Sequence, residues 1–542
     1  MIPVESNRTT IPEVLRIRAS EVPNRPFVTC GSEERTYGEM ESRAEAVARG
    51  FFAAGVVPGE TVGIILPNRI EMLDCFFSLA KLGAIQVPLN VYLKGEFLRH
   101  QLLDSSVSTL VVDQAGLETV RPLLGELPSL QRLVVLDESH PKVDEPVVCL
   151  RYDDVVKSGV SRPELQSIPS DVVSVLYTSG TTGMPKGCIC THGYYIQTGI
   201  GYQKFFEPNS DDILLTVLPL YHMGGQGNAL MFTLLSGVSV VFEPEFSASQ
   251  FINRARDEKA TLLFGPGMIA TAVLATASSD GDRNHAIRSA ALGPLSPPLQ
   301  LAFEDRFGVA MNSELFGQTE CTPVTLNSGS NPRRRDSLGR AAPWIEIRIV
   351  DDHDVEVASG VAGELVVRSL IPDGMFSGYW NNPDATVSAQ RNLWHHTGDL
   401  GRVDGDGYLH FVDRKKDAIR RRGENVSSLE LETAIRQIDG VADVAVHGVP
   451  SSMTEEEIKV CLVLTDASSI TPKILFDRFA VDLPYFAVPR YVEVLPSLPR
   501  NSMGRVTKHE LRERGLTLDT WDFQEMGLSV DRQDRRASQG AK

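Results

Sequence analysis

The sequence predicts an α/β protein: a large N-terminal domain of βαβ-layered parallel sheets with a β-rich subdomain, then a small α+β C-terminal domain. Three observations carry this. Strand-like and helix-like pieces alternate over residues 1 to about 170, and again from the glycine-rich stretch after Tyr177 to about residue 340. From Ile345 the pattern changes to short alternating β pieces, closed by the hairpin signal Asp404-Gly405-Asp406-Gly407. Behind the charged connector Asp413–Asp417 a second, shorter α+β pattern begins. A chain of 542 residues is also too long for one core, so two or more units are expected.

Taken in order, Thr61–Leu66 reads as a strand, and Pro67-Asn68 opens a helix through Phe76, Phe77, Leu79 and Leu82 that Gly83 stops. Ala84–Leu89 is the next strand, a strand–helix–strand unit that predicts parallel pairing. Glu96–Leu103 reads as helix and Thr109–Asp113 as strand. Val172–Tyr177 is short, apolar and β-branched, the mark of a buried strand. Thr261–Phe264 leads into Gly265-Pro266-Gly267-Met268-Ile269-Ala270, which imitates a dinucleotide G-x-G-x-x-A. Pro266 removes an amide from the turn that should face a pyrophosphate, so a structural strand-to-helix turn is expected there. Ile345–Val350 and Glu364–Arg368 alternate as strands, and Leu400–Val403 and Tyr408–Val412 flank the hairpin turn. The expected division is an N-terminal domain 1–412, a hinge 413–417, a C-terminal domain 418–515 and a partly disordered tail 516–542. Within the small domain, Ser427 with Glu430 forms a capping-box pattern. Val441–Val449 and Ile458–Leu464 read as strands, and Pro472–Leu483 as an amphipathic helix.

The balance of 42% hydrophobic and 23% charged residues is ordinary for a globular protein. A net charge of −17 argues against a general nucleic-acid or anionic-membrane binder, so an anionic ligand would need a local basic site. The seven cysteines (Cys30, Cys75, Cys149, Cys188, Cys190, Cys321, Cys461) are scattered and odd in number, which fits no disulfide framework. Cys188-x-Cys190 is too close for a zinc site, and buried thiols are expected. No apolar run approaches a membrane span, and Met1–Leu15 lacks a basic segment followed by an apolar one. A cytoplasmic location is the expectation, and a homo-oligomer stays open.

The stretch Tyr177–Gly187, YTSGTTGMPKG, carries the chemistry. Thr178, Ser179, Gly180, Thr181, Thr182 and Gly183 follow a strand with hydroxyls and turn amides, and Lys186 adds a positive charge, a polyphosphate cradle by composition. It is not the common P-loop, because Lys186 precedes Gly187 and Cys188 follows.

This run closely resembles the phosphate loop of the adenylate-forming superfamily: acyl-CoA synthetases and other AMP-dependent synthetases and ligases, peptide-synthetase adenylation domains, and beetle luciferases. Four more stretches resemble that family in the same order: Leu218–Gly225 around His222, Phe316-Gly317-Gln318-Thr319-Glu320, His396–Gly401 around Asp399, and Gly423-Glu424-Asn425. The resemblance implies an ATP-dependent ligase that joins a small-molecule carboxylic acid to CoA through an acyl-AMP, with magnesium. It implies Lys186 and the preceding loop on the phosphates, Glu320 with Thr178 on magnesium, and Phe316 against adenine. It places Gly317, Gln318 and Thr319 around the nucleotide, Asp399 and Arg414 on the ribose, His222 beside the carboxylate, Ala291–Pro294 near adenine, and Gly423 and Glu424 on the CoA thiol arm. Lys416 matches the hinge on which the small domain of that family is mobile. The chain departs from the family where a Gly-Lys is usual: Arg505 follows Gly504, and the nearest lysine is Lys508. Arg505 is expected to carry the charge at the reacting carboxylate, although its planar fork differs from an ammonium. Val87–Asn90, Lys94–Leu98 and Gln226 resemble the crotonobetaine/carnitine-CoA ligase-like branch. Gln226 and Asn228 are expected to hydrogen-bond a polar substrate tail. Two alternatives stay open: an enzyme loading an acid onto a separate carrier protein, and a non-catalytic nucleotide-binding homologue.

Overall fold

The computed structural model describes residues 8–136, 147–178, 184–327, 333–414, 418–421, 424–451, 456–465, 470–500, 506 and 508–530. Two seven-stranded sheets form the large body. One runs in the order Val148–Arg151, Arg132–Val135, Thr109–Val112, Thr61–Ile65, Ile85–Pro88, Val172–Thr178, Lys186–Thr191. The other runs Ala310–Met311, Ser289–Gly293, Leu262–Pro266, Ile213–Thr216, Ser239–Phe242, Pro26–Cys30, Glu33–Thr36. All pairings are parallel except one hairpin at an edge of each sheet, as βαβ alternation dictates.

The helix Ile70–Leu82 is buried almost all round, which its near-continuous apolar sequence explains, and Gly83 ends it with φ 73°. It begins at Ile70 rather than at Pro67-Asn68, because the Asn68 carboxamide is engaged elsewhere. Phe76 and Phe77 from this helix pack edge-on, and their rings meet Tyr195 and Phe27 from different elements. One apolar core thus joins the layers of the two sheets.

Beyond the body lie a three-stranded sheet (Leu315–Gln318, Cys321–Leu326, Arg340–Ala341) and a four-stranded antiparallel one (Ile345–Val350, Gly363–Ser369, His395–Val403, Leu409–Arg414). The C-terminal part carries a two-stranded ribbon, Ala418–Arg421 with Glu424–Ser427, and a mixed sheet of Val441–Pro450, Glu456–Leu464, Tyr491–Val494 and Thr520–Asp522. The α/β class, the β-rich subdomain and the small α+β unit are all present. The last strand lies past residue 515, where the sequence reading began its tail. Trp521 pairs opposite Val492, and Phe523 is buried against Phe476 and Phe479. A three-residue strand is too short to show periodicity, so only its tertiary partners reveal it. The polar end 531–542 and the hinge residues 415–417, Lys416 among them, lie outside the described residues. The helix after the ribbon starts at Ser428, and the side chain of Ser427 lies outside the described residues.

The imitation dinucleotide turn is structural. Leu262–Pro266 is a central strand, and a Cβ on Gly267 would sit 1.9 Å from the Pro294 carbonyl oxygen. Glycine here permits backbone-on-backbone packing. Gly267→Ala is expected to destabilise the fold by about 2 kcal/mol or more in urea unfolding. Gly405→Ala, with nothing within 4 Å of the new Cβ, should stay within about 0.5 kcal/mol of the parent.

Candidate active site

The phosphate stretch sits at the open end of the edge hairpin Val172–Thr178/Lys186–Thr191, where Thr178 pairs with Lys186. Ser179, Gly180, Thr181, Thr182 and Gly183 lie outside the described residues. Tyr177 donates from its hydroxyl to Asp104 Oδ2 at 2.5 Å, and burial pushes that hydroxyl well above its ordinary range. His100 Nε2 lies 3.0 Å from the Pro185 carbonyl oxygen. The far edge of the hairpin docks on segment 376–380: Trp380 N donates to Gly187 O (2.7 Å), Ile189 N to Gly378 O (3.0 Å), and Ser377 N to Ile189 O (2.9 Å).

That segment also holds the turn bearing Glu320. Phe376 N donates to Glu320 O at 3.0 Å, and Tyr194, rising from helix His192–Phe206, donates to Thr319 O at 2.9 Å. Tyr379 links the two parts. Its hydroxyl donates to Glu320 Oε1 at 2.9 Å, and Lys186 Nζ lies 4.8 Å from its ring centre. Burial, then the nearby Glu320 charge, keep the phenol neutral by raising it far above its usual range. Tyr379 was missed in the sequence, where nothing distinguishes it from an ordinary core aromatic.

Two residues before Glu320, Gln318 Nε2 donates to Asp399 Oδ2 at 2.6 Å and to Thr397 O at 2.9 Å. Asp399 is 5% exposed, and its own amide donates to Thr397 Oγ1. Phe316 and Gly317 complete that strand. Arg414 pairs opposite Asp399 in the neighbouring strand; its side chain lies outside the described residues.

The loop with His222 is braced from the other sheet. Asn68 Nδ2 donates to Leu218 O (3.0 Å) and to Glu243 O (3.3 Å), while its Oδ1 accepts from Leu220 N (2.8 Å). Asn68 therefore serves the site rather than opening its own helix. His222 packs edge-on against Tyr221. The next residues form a π-helical turn, Gly224–Leu230, a wide-turn geometry that sequence periodicity does not signal. Within it Gln226 is 1% exposed and committed: it exchanges bonds with Gln86 at 2.9 and 3.2 Å and accepts from Tyr195 at 2.7 Å. The expected contact of Gln226 with a substrate tail is therefore not made, because a buried amide keeps its protein partners. Asn228 does reach the cleft wall.

One cavity of about 1650 Å³ is lined by Thr178, Lys186, His222, Phe316–Glu320 and Asp399 together, with Ala291, Gly293 and Pro294 beside them. Its far wall comes from the C-terminal unit, including Arg421, Glu430 and Tyr485. Tyr485 closes edge-on on Tyr92 of the body at 4.5 Å. Arg505 and Gly423 lie outside the described residues; Glu424 pairs with Arg421 through its backbone, and its side chain is likewise outside. Lys508 is occupied within the small unit, 2.7 Å from Ser428 Oγ and 2.7 Å from Glu432 Oε1. Among the described residues no cluster of three or more His, Cys, Asp or Glu forms a metal cage. All seven cysteines are free, and six of them, Cys188 and Cys190 included, are buried. No helix among the described residues is long and apolar enough to cross a membrane.

A large sheet-layered body and a small α+β unit that together wall one polar cleft define the class of adenylate-forming enzymes. A family model described as AMP-binding enzyme matches residues 15–380, and one described as AMP-binding enzyme C-terminal domain matches 430–505. The chain belongs to the AMP-binding enzyme family. Among its relatives, a crotonobetaine/carnitine–CoA ligase of Salmonella arizonae is 32% identical, covering 90% of this chain and 95% of the relative. One so named from Salmonella paratyphi B is 30% identical over 88% and 93%. Among solved structures, the o-succinylbenzoate CoA synthetase MenE of Bacillus subtilis is similar with TM-score 0.80 and 25% identity, over 93% of this chain and 98% of that one. The anthranilate CoA ligase AuaEII gives 0.71 and 26%, over 94% and 97%.

Two measurements check this geometry. Asn68→Ala orphans the Leu220 amide and the Leu218 carbonyl, and should cost about 2–3 kcal/mol in chemical denaturation while speeding hydrogen exchange at Leu220. Burial raises the Glu430 carboxyl from 4.5 to about 8. Between those values the folded chain holds a proton that the unfolded chain has released, so stability falls as pH rises through that window. Glu430→Gln should flatten the decline of Tm between pH 5 and pH 8.

Proposed function

We propose that this enzyme is an AMP-forming acid–CoA ligase. A carboxylate oxygen attacks the α-phosphorus of ATP; the bond to the β-phosphate oxygen breaks, and pyrophosphate leaves with acyl-AMP formed. The CoA thiol then loses its proton and attacks the acyl carbon, and AMP departs. The observation that carries this reading is the junction at Tyr379, which holds Lys186 over its ring and Glu320 at its hydroxyl, two residues from the clamp on Asp399.

In this reading Lys186 neutralises charge on the transferred phosphates, and the hydroxyls and amides of 178–183 cradle them. Asp399, oriented by Gln318, accepts the ribose hydroxyls, with Arg414 beside it, and Phe316 packs on adenine. His222 borders the reacting carboxylate. Glu320 with Thr178 would hold magnesium: one carboxylate and one hydroxyl beside a polyphosphate suit a hard cation that takes its other ligands from phosphate and water. When bound, that ion supplies charge neutralisation for the departing pyrophosphate. Arg505 supplies the cation at the carboxylate; the engagement of Lys508 with Ser428 and Glu432 favours it. The segment 413–417 acts as the hinge between domain 1–412 and domain 418–515, and Gly423 and Glu424 line the thiol path once the small domain has turned. Closure keeps water from the mixed anhydride.

The test is acid- and magnesium-dependent ATP–pyrophosphate exchange across a panel of carboxylic acids, followed by AMP release on adding CoA. Lys186→Ala and Glu320→Gln should each lower exchange by about a hundredfold or more, and chelation of magnesium should abolish it. Arg505→Ala should lose exchange while Lys508→Ala keeps it; normal exchange in Arg505→Ala refutes the assignment of Arg505.

A further inference from the structure

One stretch of the chain gives the cavity an uncharged part of its wall. Every residue lining it from Tyr202 through Phe316 is uncharged at neutral pH apart from the titratable His222. The acidic and basic lining residues come from elsewhere: Lys186, Glu320 and Asp399 at the phosphate and ribose end, and others from segments 364–396 and 420–512. That uncharged stretch of wall holds His222 together with Tyr202, Tyr221, Phe246, Phe264 and several aliphatic side chains. A second carboxylate or an ammonium resting on it would gain no opposite charge from it, which is unfavourable once water is displaced. Within this wall stands Asn228, on the π-helical turn, whose Oδ1 is shielded from solvent and has no hydrogen-bond partner among the described residues. A buried amide oxygen without a partner marks a place where something else belongs. Rotation about the last side-chain bond presents either end of the carboxamide without moving the backbone, and a hydroxyl, which both donates and accepts, satisfies either.

We propose that the acid is one with an uncharged, largely apolar tail bearing a hydroxyl-type group that Asn228 recognises, and that betaines and dicarboxylates are rejected. This rests on the ligase reading and sets the chain apart from its relatives named for carnitine. Aromatic faces do attract cations, so carnitine is the sharpest competitor.

The experiment pairs calorimetric binding with ATP–pyrophosphate exchange on the full chain. The probes are benzoate, 4-hydroxybenzoate, octanoate, 8-hydroxyoctanoate, carnitine and malonate. At least one neutral-tailed acid should exceed carnitine and malonate by about tenfold or more in affinity and in kcat/KM, with its hydroxylated form preferred several-fold. Asn228→Leu should erase that preference, and Asn228→Ser, which keeps a hydrogen-bonding group, should retain part of it; the Tm of each variant monitors the fold. Equal or tighter binding of carnitine or malonate overturns the proposal, as does a preference unchanged in Asn228→Leu. Binding in the expected order without exchange or AMP release would remove the ligase reading and leave the tail class standing.

Discussion

The strand Lys186–Thr191 is held along both edges. One edge pairs with Val172–Thr178, and the other takes backbone bonds from segment 376–380. Thr178 and Lys186, the pair that closes this hairpin, are fixed from two different parts of the molecule. Here the body supplies one side, through Tyr177 on Asp104, and the β-rich subdomain supplies the other. Because the same subdomain segment carries Tyr379, it also sets Lys186 relative to Glu320. The remaining geometry of the cleft follows from this two-sided clamp.

Charge is placed against the background of the whole chain. With a net charge of −17, the protein repels anions at long range. Attraction must come from cations close to the ligand, where low-dielectric walls strengthen it. Glu320 and Asp399 lie in the same cleft and are held by different partners. Tyr379 donates to the first and Gln318 to the second, a neutral side chain in each case.

The other end of the cleft obeys the opposite rule. Its polar groups are either satisfied internally, as with Gln226 on Gln86 and Tyr195, or buried in the wall with unfilled capacity, as with the Asn228 Oδ1. The Gln86–Gln226 pair, extended through Tyr195 to Ser174, ties the π-helical turn to the strand that leads into the phosphate loop. The π-helical turn and the strand Val172–Thr178 are thus parts of one hydrogen-bonded frame.

Sequence by itself determined what depends on local pattern. The alternation of apolar runs specified the parallel sheets, Gly83 marked a helix end, and the family resemblance of the stretches around Lys186, His222, Glu320 and Asp399 implied one site, whose residues the fold brings to one cavity. Pro266 sufficed to dismiss a dinucleotide turn, because a missing amide is visible in one letter. Tertiary structure alone decided what depends on partners distant in the chain. Tyr379 stands 59 residues from Glu320 in sequence, and Asn68 stands 150 from Leu218, so neither pairing leaves a local trace. Gln226 and Asn228 are two residues apart and similar in chemistry, yet one is buried among partners and the other faces the cavity. A π-helical turn sets that difference, and its register follows from packing rather than from residue type.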